Sequence, residues 1–302
     1  MYHTPVLLSE ALHYLLHDGS RLILDATVGS GGHAKAILDA RGNVTVIGID
    51  RDAMALEVAA ERLKEYSGRV FFFMGAYTEL DSALGSRGNV DGVLVDHGMS
   101  SLQLEDSHRG FSYSGEGPLD MRMSGTGQTA SDLIESTDMA GLACVLERYG
   151  EVARPRRIAR SIKNASQKHM MRTTADLKAA VENAFGRRVS PGLLSRIFQA
   201  FRIAVNRELE LLQEFLGSIL RYVNRNGRLV FISYHSLEDR MIKEFLRRES
   251  AECICPPGTP VCVCGRRPAL ELLTKKAIKT ANEEIARNPR ARSARLRAAR
   301  VI

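Results

Sequence analysis

A strand–turn–helix–strand unit near the N-terminus constrains the fold of this chain more than any other feature. An apolar run over residues 22–24 ends in Asp25 and precedes a glycine turn, Gly29-Ser30-Gly31-Gly32-His33. A second apolar run, residues 44–49, ends in Asp50. Glycines after a buried strand let the backbone approach a ligand closely and turn free N–H groups toward it. A carboxylate at the tip of the second strand can accept hydrogen bonds from both hydroxyls of a ribose, so the unit predicts a pocket for an adenosine-containing cofactor.

Two cofactor classes fit this unit, and a purely geometric role for the glycines is a third interpretation. Gly29-x-Gly31-x-x-Ala34 matches the dinucleotide-binding fingerprint, and Asp50 stands roughly 20 residues further on, as that fingerprint requires. Asp25, which comes just before the glycines, favours S-adenosylmethionine instead. A carboxylate at that place suits a cationic amino-acid group better than a pyrophosphate. The choice between these cofactors depends on the rest of the chain.

Length, charge and cysteine usage restrict the class of protein. The chain has 302 residues, 44% of them hydrophobic, which is enough for a large core in one or two domains. A formal charge of +7 indicates a polyanionic partner. No apolar run reaches the length of about 18 residues that a membrane helix needs, and the first residues do not resemble a signal peptide. The five cysteines are therefore expected as reduced thiols or metal ligands in a cytoplasmic protein.

Strand and helix patterns alternate between residues 22 and 96. Helical spacing follows Asp50, and residues 70–73 and 90–95 form two further apolar runs. This alternation predicts an α/β fold in which a parallel sheet carries helices on both faces. Ligands of such sheets bind at the carboxyl ends of the strands. Five residues are expected at that edge: Asp25, Gly31, Asp50, Tyr77 and Asp96.

The pattern changes after the fourth strand. Residues 107–123 have loop composition, and helical spacing then continues to Asn206 with interruptions at glycine and proline. Strand character returns at residues 224–233. The chain is therefore predicted to form a sheet domain interrupted by an all-helical insertion. The predicted ranges are 1–106 and 207–302 for the sheet domain and 107–206 for the insertion.

Basic residues are concentrated in two stretches. Residues 147–172 contain the following: Arg148, Arg154, Arg156, Arg157, Arg160, Lys163, Lys168 and Arg172. Because only two acidic residues accompany them, this cluster favours contact with phosphates over a solvated helix face and predicts RNA binding by the insertion. In residues 294–298, arginine alternates with apolar residues, which predicts a half-buried edge strand. Charge on such an edge serves either to block aggregation or to contact RNA.

Two further segments carry side chains suited to chemistry. One loop brings Asp120 close to Arg122 in the sequence. His235 follows the fifth strand, where a histidine can orient a substrate, take up a proton or serve only the structure. Ser236 with Asp239 three residues later fits a capping box at the start of a helix.

Four cysteines lie close together near the C-terminus: Cys253, Cys255, Cys262 and Cys264. Four thiolates suit tetrahedral zinc. Pairs of the form C-x-C are less typical of zinc sites than C-x-x-C, and no histidine lies nearby, so a compact loop of reduced thiols is the other interpretation. No metal ligand is assigned from the sequence. Cys144 stands in an apolar helical segment and is expected in the core.

Several segments, in their order along the chain, carry a resemblance to a known family. They are His3-Thr4-Pro5-Val6-Leu7-Leu8-x-Glu10, Asp25-Ala26-Thr27-x-Gly29-x-Gly31-Gly32-His33, Arg109–Tyr113, Gly117–Met123, Phe198–Leu209, His235–Arg240 and Asn288–Ser293. Together they resemble the bacterial RsmH (MraW) family, the 16S ribosomal RNA cytosine-N4 methyltransferases. The resemblance covers nearly the whole chain, and the ordered set is far more specific than any one segment.

The resemblance implies a class I, Rossmann-like methyltransferase fold with S-adenosylmethionine as cofactor. It implies methylation of the exocyclic N4 amine of a cytosine in the decoding region of 16S ribosomal RNA. The expected partner is this RNA or the small ribosomal subunit, with no DNA and no membrane. By the resemblance, the cofactor contacts are Gly31, Gly32, His33, Asp50, Tyr77, Asp96 and Gln103. Asp25 is not among them, and its proposed role depends on its position alone.

Asp120 and His235 are the catalytic candidates. The lone pair of a cytosine amine is delocalised into the ring, so acceptors aimed at the amine protons would make it more nucleophilic. Asp120 and Asp96 are suited to that task, and His235 is suited to assisting proton loss. A paired cytosine hides its amine edge, so the target is expected to be single-stranded or extruded.

The chain departs from the family pattern at three places. His97 and Met99 stand where leucine and valine are usual, Val152-Ala153 interrupts a Tyr-Gly-Glu-Glu-Arg motif, and Tyr234 replaces a phenylalanine. Because the first departure falls at the predicted active edge, a non-catalytic ribosome-assembly factor that retains cofactor binding is the main alternative. A nicotinamide-dependent oxidoreductase would leave the basic insertion unused. A DNA cytosine-N4 methyltransferase would carry an Asp/Ser-Pro-Pro-aromatic motif after the fourth strand, which is absent.

Overall fold

The computed structural model of the protein describes residues 5–99, 103, 106–256, 261 and 264–302. His3, Thr4 and Cys262, named above, lie outside these ranges. The described strands are β1 (Leu22–Asp25), β2 (Thr45–Asp50), β3 (Val70–Met74), β4 (Val90–Asp96), β5 (Val223–Ser233), β6 (Leu270–Leu272), β7 (Ile278–Lys279) and β8 (Arg295–Val301). The described α-helices are α1 (Leu8–Leu15), α2 (Gly32–Ala40), α3 (Ala53–Arg62), α4 (Leu80–Leu84), α5 (Ala130–Ser136), α6 (Met139–Gly150), α7 (Pro155–Ser166), α8 (Thr174–Phe185), α9 (Pro191–Asn206), α10 (Glu208–Ser218), α11 (Ser236–Glu249) and α12 (Asn282–Arg287).

The chain divides by its internal contacts into two compact units. The first comprises Met1–Gly98 and Glu210–Ile302, and the second comprises Met99–Leu209. All of the described strands belong to the first unit, whereas α5 to α9 belong to the second. An RNA-binding role for the second unit stays a prediction.

The strands of the first unit form a mixed sheet in the order β3-β2-β1-β4-β5-β8-β6, with β7 also paired to β8. Strands β1 to β5 are parallel to one another, and β8 is antiparallel to β5. The predicted α/β class and its parallel sheet are therefore confirmed. The strand order reverses between β1 and β4, and ligands of doubly wound sheets bind beside such a switch point.

Both faces of this sheet are covered by helices. Along β1, Ile23 packs into a cluster that includes Ile37 of α2. The adjacent residue, Leu24, packs into the opposite cluster with Phe215 of α10 and Phe245 of α11. Successive side chains of a strand point to opposite faces. Burial on both faces therefore explains why these strands appear in the sequence as continuous apolar runs.

The predicted edge position of the C-terminal strand is wrong. β8 pairs with β5 on one side and with β6 and β7 on the other. An alternating pattern reports only which face of a strand is buried, while its neighbours in the sheet are chosen by distant segments. The arginines of β8 bind carboxylates of the same unit, Asp239 for Arg295 and Arg297, and Glu271 for Arg300.

The helices of the second unit confirm the predicted helical segment and its interruptions. Helix α5 begins at Ala130 after a capping box formed by Thr129 and Asp132. Helix α6 ends at Gly150, and Pro155 is the first residue of α7. Proline is tolerated at that position because its missing N–H has no partner in the first turn.

Cys144 does not lie in the core, contrary to expectation. It is exposed on α6, whereas its neighbours Leu142 and Leu146 are buried. The apolar composition of this segment predicted a buried helix but not which face of the helix is buried. Among the described residues, no helix has both the length and the apolar composition to cross a membrane.

Candidate cofactor and substrate site

Three carboxylates end parallel strands at one edge of the sheet. Asp25, Asp50 and Asp96 are the last residues of β1, β2 and β4, and β1 lies between the other two strands. Gly31 follows β1 and Tyr77 follows β3 at the same edge. The structure thus brings together the five residues that the strand pattern predicted there.

The glycine turn after β1 has a backbone that favours glycine. Gly31 has a φ of 77° in the left-handed region and is the N-cap of α2. A Cβ on Gly31 would lie 3.0 Å from Cδ1 of Leu63, so a side chain would be strained and crowded. The first amides of α2, those of Gly32 and His33, have no acceptor within the helix and can serve a ligand.

The His33 side chain is held by the protein itself. Its Nε2 lies 3.1 Å from the carbonyl oxygen of Val6, and its Nδ1 lies 3.7 Å from Oδ2 of Asp96. Burial lowers the pKa of His33, and the neighbouring Asp96 opposes that shift only in part. The ring is buried and in contact with Val6 and Asp96. The expected cofactor contact of His33 is therefore assigned to its backbone amide.

Asp50 organises the loop around it. Its Oδ2 accepts a hydrogen bond from the amide of Gly29 at 2.8 Å, and its Oδ1 accepts one from the amide of Asp52 at 2.9 Å. Burial raises the pKa of Asp50 even though these amides stabilise its charged form. Each carboxylate oxygen has a second lone pair, so Asp50 can still accept from two ribose hydroxyls.

Asp25 is the most deeply buried acid of the edge, with an exposed fraction of 1%. Its Oδ1 accepts a hydrogen bond from the amide of Thr27 at 3.3 Å, and its Oδ2 has no hydrogen-bond partner among the described residues. Burial raises the pKa of Asp25 to about 8, and the carboxylates of Asp96 and Asp50 add to this shift. A cationic ligand group beside Oδ2 would relieve the cost of ionising this acid.

Asp96 is positioned by two residues that sequence reasoning missed as site residues. The backbone amide of Asp96 donates to Oγ1 of Thr27 at 2.7 Å. The hydroxyl of Tyr234 is hydrogen-bonded to the Asp96 carboxylate, and burial raises the pKa of that tyrosine well above its usual value. The Tyr234 ring also packs on Gly98, where a Cβ would lie only 2.8 Å from it. The sequence contained one signal for Tyr234, because it replaces the phenylalanine that is usual at this position in the family pattern.

Tyr77 and His97 form an aromatic wall of the same unit. The Tyr77 ring lies edge-on to Phe215 at 5.1 Å between centroids, and 6.0 Å from the ring of His97. These contacts leave Tyr77 with an exposed fraction of 9%. The wall therefore has a fixed orientation and offers an apolar surface to a flat ring.

Asp120 belongs to the second unit, where it forms a forked ion pair with Arg122. Arg122 Nε donates to Oδ1 of Asp120 at 2.8 Å, and its Nη2 donates to Oδ2 at 2.7 Å. Burial alone would raise the pKa of Asp120, but the hydrogen bonds from Arg122 outweigh it and lower the pKa. Asp120 is therefore ionised at neutral pH, and its lowered pKa suits it to accepting a hydrogen bond better than to taking up a proton. Gln103, the remaining expected cofactor contact, is buried in this second unit.

The loop that carries Asp120 is strained and tightly pinned. Met121 is fully buried and has a φ of 63°, which is rare for a residue with a long side chain. Asn206 Nδ2 donates to the carbonyl of Met121 at 2.7 Å, and Arg109 Nη2 donates to that of Met123 at 2.8 Å. Strain that is held by its surroundings is typical of functional loops.

His235, and not Ser236, is the N-cap of α11, so the predicted capping box of Ser236 and Asp239 is wrong. The amide of Glu238 donates to Nδ1 of His235 at 3.4 Å, and Oε2 of Glu238 accepts from the amide of Tyr234 at 3.0 Å. Ser236 is the first helical residue, and Asp239 instead binds the arginines of β8. Nε2 of His235 lies 3.0 Å from Oε1 of Glu238, so both ring nitrogens face the start of α11.

The whole chain is similar to known methylases. A family model described as the MraW methylase family matches residues 1–302. The chain is 46% identical over 308 residues to the Ribosomal RNA small subunit methyltransferase H of Thermomicrobium roseum, with 99% of this chain and 94% of the relative covered. It is 42% identical over 307 residues to the protein of the same name from Syntrophotalea carbinolica, with 99% and 97% covered. Among solved structures, a putative rRNA-methylase from Clostridium thermocellum has a TM-score of 0.45 and 12% identity, with 98% of this chain and 95% of that chain covered.

Proposed function

Because the chain belongs to the MraW methylase family over its whole length, we propose that it methylates the exocyclic N4 amine of a cytosine in the decoding region of 16S ribosomal RNA. The methyl donor is S-adenosylmethionine, which carries the methyl group on a sulfonium. Relatives at 42% to 46% identity that are named as small-subunit ribosomal RNA methyltransferases support this substrate class. Action on ribosomal RNA would place the protein in the cytoplasm.

The observation that carries the cofactor assignment is the row of carboxylates at the carboxyl edge of the sheet. Asp50 is suited to the ribose hydroxyls, and the amides after Gly31 are suited to an acceptor of the cofactor. The buried Oδ2 of Asp25, which has no partner among the described residues, fits a cationic amino group. A pyrophosphate would instead meet three acidic side chains, so this edge favours S-adenosylmethionine over a dinucleotide. Tyr77, Asp96 and Gln103 complete the proposed set.

Catalysis is proposed to rest on positioning and on acceptors for the amine protons. Oδ1 of Asp120 accepts from both the amide and Nε of Arg122, whereas Oδ2 accepts only from Nη2 and keeps a lone pair for the amine. The loop of Asp120 is held by Asn206 and Arg109. An ionised carboxylate aimed at the amine would raise the electron density on nitrogen as the new bond forms. His235 is already engaged with the start of α11, so its proposed role is to hold that helix in position rather than to accept the proton.

The second unit offers surfaces suited to RNA. Arg156 and Arg160 are exposed on α7, four residues apart and so on one helix face. Tyr113, Lys178, Glu182 and Arg188 line a cavity of about 410 Å³ in the same unit. Its aromatic ring and its excess of positive charge suit a base and its phosphate.

Two basic residues of the predicted RNA-binding stretch have structural partners instead. Nζ of Lys163 donates to the carbonyls of Glu135 and Thr137 at 2.8 Å, at the end of α5. Arg157 Nε donates to the carbonyl of Ala184, near the end of α8. Cations near a helix C-terminus stabilise it. The RNA-contact proposal therefore rests on the other basic residues of the stretch.

The proposed activity is tested by transfer of a radiolabelled methyl group from S-adenosylmethionine. The acceptors are small ribosomal subunits and naked 16S RNA from cells that lack this protein, and the product is mapped by mass spectrometry. Label on one cytosine N4 of the decoding region is the expected result. Label on another base or position would refute the proposed target. Cofactor binding without any transfer would favour the assembly-factor alternative, to which the His97 and Met99 departures point.

A substitution separates the proposed roles of Asp120 and the sheet edge. Asp120→Asn removes the negative charge but keeps the shape of the side chain, so turnover should fall about a hundredfold. The dissociation constant of S-adenosylmethionine, measured by calorimetry, should stay within about twofold, because Asp120 is not proposed to touch the cofactor. Loss of cofactor binding in this variant, with an unchanged unfolding midpoint, would contradict the proposed role of Asp120 as an acceptor for the amine protons.

A further inference from the structure

Three cysteines outside the proposed methyl-transfer site converge in the loop between α11 and β6. Cys253, Cys255 and Cys264 lie there with partly or largely exposed side chains. Their Sγ atoms all lie within 4.8 Å of one another. Neither the cofactor pocket nor the RNA surfaces proposed above use them. Cys262 lies outside the described residues.

The spacing of the sulfur atoms matches a shared metal ion. Sγ of Cys264 lies 3.9 Å from Sγ of Cys253. Two thiolates bound to one tetrahedral zinc ion at the usual bond length would be about 3.8 Å apart. A disulfide would require a separation of about 2 Å. The pair is therefore placed as ligands of one ion are placed, and not as a covalent bridge.

A backbone amide also favours the thiolate form of one cysteine. The amide of Cys255 points at Sγ of Cys253, with a nitrogen–sulfur distance of 3.4 Å. A hydrogen bond from an amide stabilises the charged form of its acceptor. The C-x-C spacing thus supplies two thiols and one donor in a single short turn.

The described residues of the surrounding loop include little else that would give it a fixed structure. Two of its apolar side chains, Ile254 and Val261, have exposed fractions of 55% and 72% instead of forming a small core. Its two ends are joined by a hydrogen bond from the amide of Ala269 to the carbonyl of Glu249 at 2.8 Å, and by the ion pair of Arg266 with Glu249. A segment without a core needs a cross-link to hold a defined structure, and a bound metal is one of the few available.

We propose that Cys253, Cys255 and Cys264 bind a zinc ion that fixes this loop at the start of β6. Each thiol releases its proton to solvent as its thiolate binds the ion. Soft thiolate ligands select zinc over magnesium or calcium, which prefer oxygen. The site is structural, and it is separate from the methyl-transfer chemistry.

The test measures metal content in the full-length protein purified without chelators. Mass spectrometry of the dissolved sample should find about one zinc ion per chain. Cys253→Ser and Cys264→Ser should each lower this content at least tenfold. Cys144→Ser is the matched control, because that exposed thiol lies on α6, and it should retain the metal in full. The readout does not depend on activity, so it stays informative if the proposed RNA target is wrong.

A second measurement uses the unmodified chain, in case the serine variants fail to fold. The protein is stripped with a chelator and reconstituted with Co²⁺, which should give intense visible bands of tetrahedral cobalt together with thiolate charge transfer. Stripping should also speed proteolysis between Ser250 and Ala269. Absence of zinc, together with failure of the stripped chain to bind Co²⁺, would overturn the proposal. A mass lower by two hydrogen atoms, with two thiols lost, would overturn it in favour of a disulfide.

Discussion

Asp25 shows how the burial of a single residue sets the pH range of a site. Its pKa is raised to about 8 by burial, so the acid is largely protonated in the free protein at neutral pH. The proposed pairing of Asp25 with the amino group of S-adenosylmethionine requires the ionised acid, so binding would release this proton. We expect the affinity to rise by up to about tenfold per pH unit from pH 6 to about 8, and then to fall as the α-amino group of the ligand, with a pKa near 8, loses its own proton. Calorimetry across this pH range measures both the rise and the fall of the affinity.

A matched ligand and a matched variant control this prediction. 5′-Methylthioadenosine keeps the nucleoside but lacks the amino-acid group, so its affinity should show no rise that depends on Asp25. In Asp25→Asn, the affinity for S-adenosylmethionine should no longer rise between pH 6 and about 8. An unchanged profile in that variant would exclude Asp25 as the titrating group.

The raised pKa of Asp25 also predicts a pH-dependent difference in stability between the free wild-type protein and Asp25→Asn. A raised folded-state pKa contributes stability that is fully present below the unfolded value of 3.8 and is lost as the pH rises through about 8. Asp25→Asn carries no such titration. Its free energy of unfolding relative to the wild type should therefore increase from pH 5 to pH 9 in urea titrations, and a constant difference would contradict the assignment.

Tyr234 supplies a second prediction at the residue scale. Its hydroxyl is hydrogen-bonded to the Asp96 carboxylate in a buried setting, and Tyr234→Phe removes that bond with little change in shape. The free energy of unfolding should fall by about 1.5 to 3 kcal/mol, as for hydrogen bonds to charged groups, and the dissociation constant of S-adenosylmethionine should rise severalfold. Tyr222→Phe is the control, because its hydroxyl bonds Asp81 at the surface and should matter little. Equal effects of the two variants would show that the hydrogen bond to Asp96 contributes no more to stability or cofactor binding than the surface bond of Tyr222.

The acids of this site could be predicted from the sequence, but their partners could not. Asp25, Asp50 and Asp96 each end an apolar run, and a parallel sheet places such ends at one edge whatever the details of packing. Thr27 and Tyr234 matter because of hydrogen bonds to Asp96 that depend on side-chain rotamers and on the approach of distant segments. No periodicity in the sequence encodes those contacts.

At the scale of elements, β8 shows why local pattern and topology differ. The alternation of arginine with apolar residues correctly indicated a strand with one buried face. Its place between β5 and the β6/β7 edge is decided by backbone pairing with residues far away in the chain. The helices of the second unit were easier to predict, because Pro155 and Pro191 mark helix starts locally.

Two arginines on this one strand should differ in their contribution to stability. Arg297 forms a forked pair with Asp239, and both side chains are largely buried. Arg300 binds Glu271, where both partners are exposed. Arg297→Ala leaves a carboxylate without its forked partner and should lower the free energy of unfolding by about 2 to 3 kcal/mol, whereas Arg300→Ala should cost about 0.5 kcal/mol. Urea denaturation of the two variants, side by side, measures this difference, and equal losses would refute the distinction by burial.

At the scale of the whole molecule, the charge of +7 does not by itself define an RNA surface. Several of its arginines and lysines serve the fold, as the contacts of Lys163 and Arg297 show. A cluster of charges in the sequence does not show which of its members serve the fold and which can contact RNA, because the carbonyl and carboxylate partners come from other elements. The exposed pair on α7, Arg156 and Arg160, offers a defined test of RNA binding.

Replacing Arg156 and Arg160 together by alanine should weaken RNA binding through lost phosphate contacts. Each such contact releases counterions, so the slope of log affinity against log salt should become shallower by about 1.5 to 2, and the affinity near 0.1 M salt should fall roughly ten- to fiftyfold for any RNA sequence. Lysine at both positions keeps the charges and should retain most of the slope. Lys64→Ala, which removes an exposed charge of the first unit, should leave the affinity nearly unchanged. A loss of affinity at constant slope would mean that the two arginines act through folding, and the RNA surface would then have to be sought at Lys178 and Arg188.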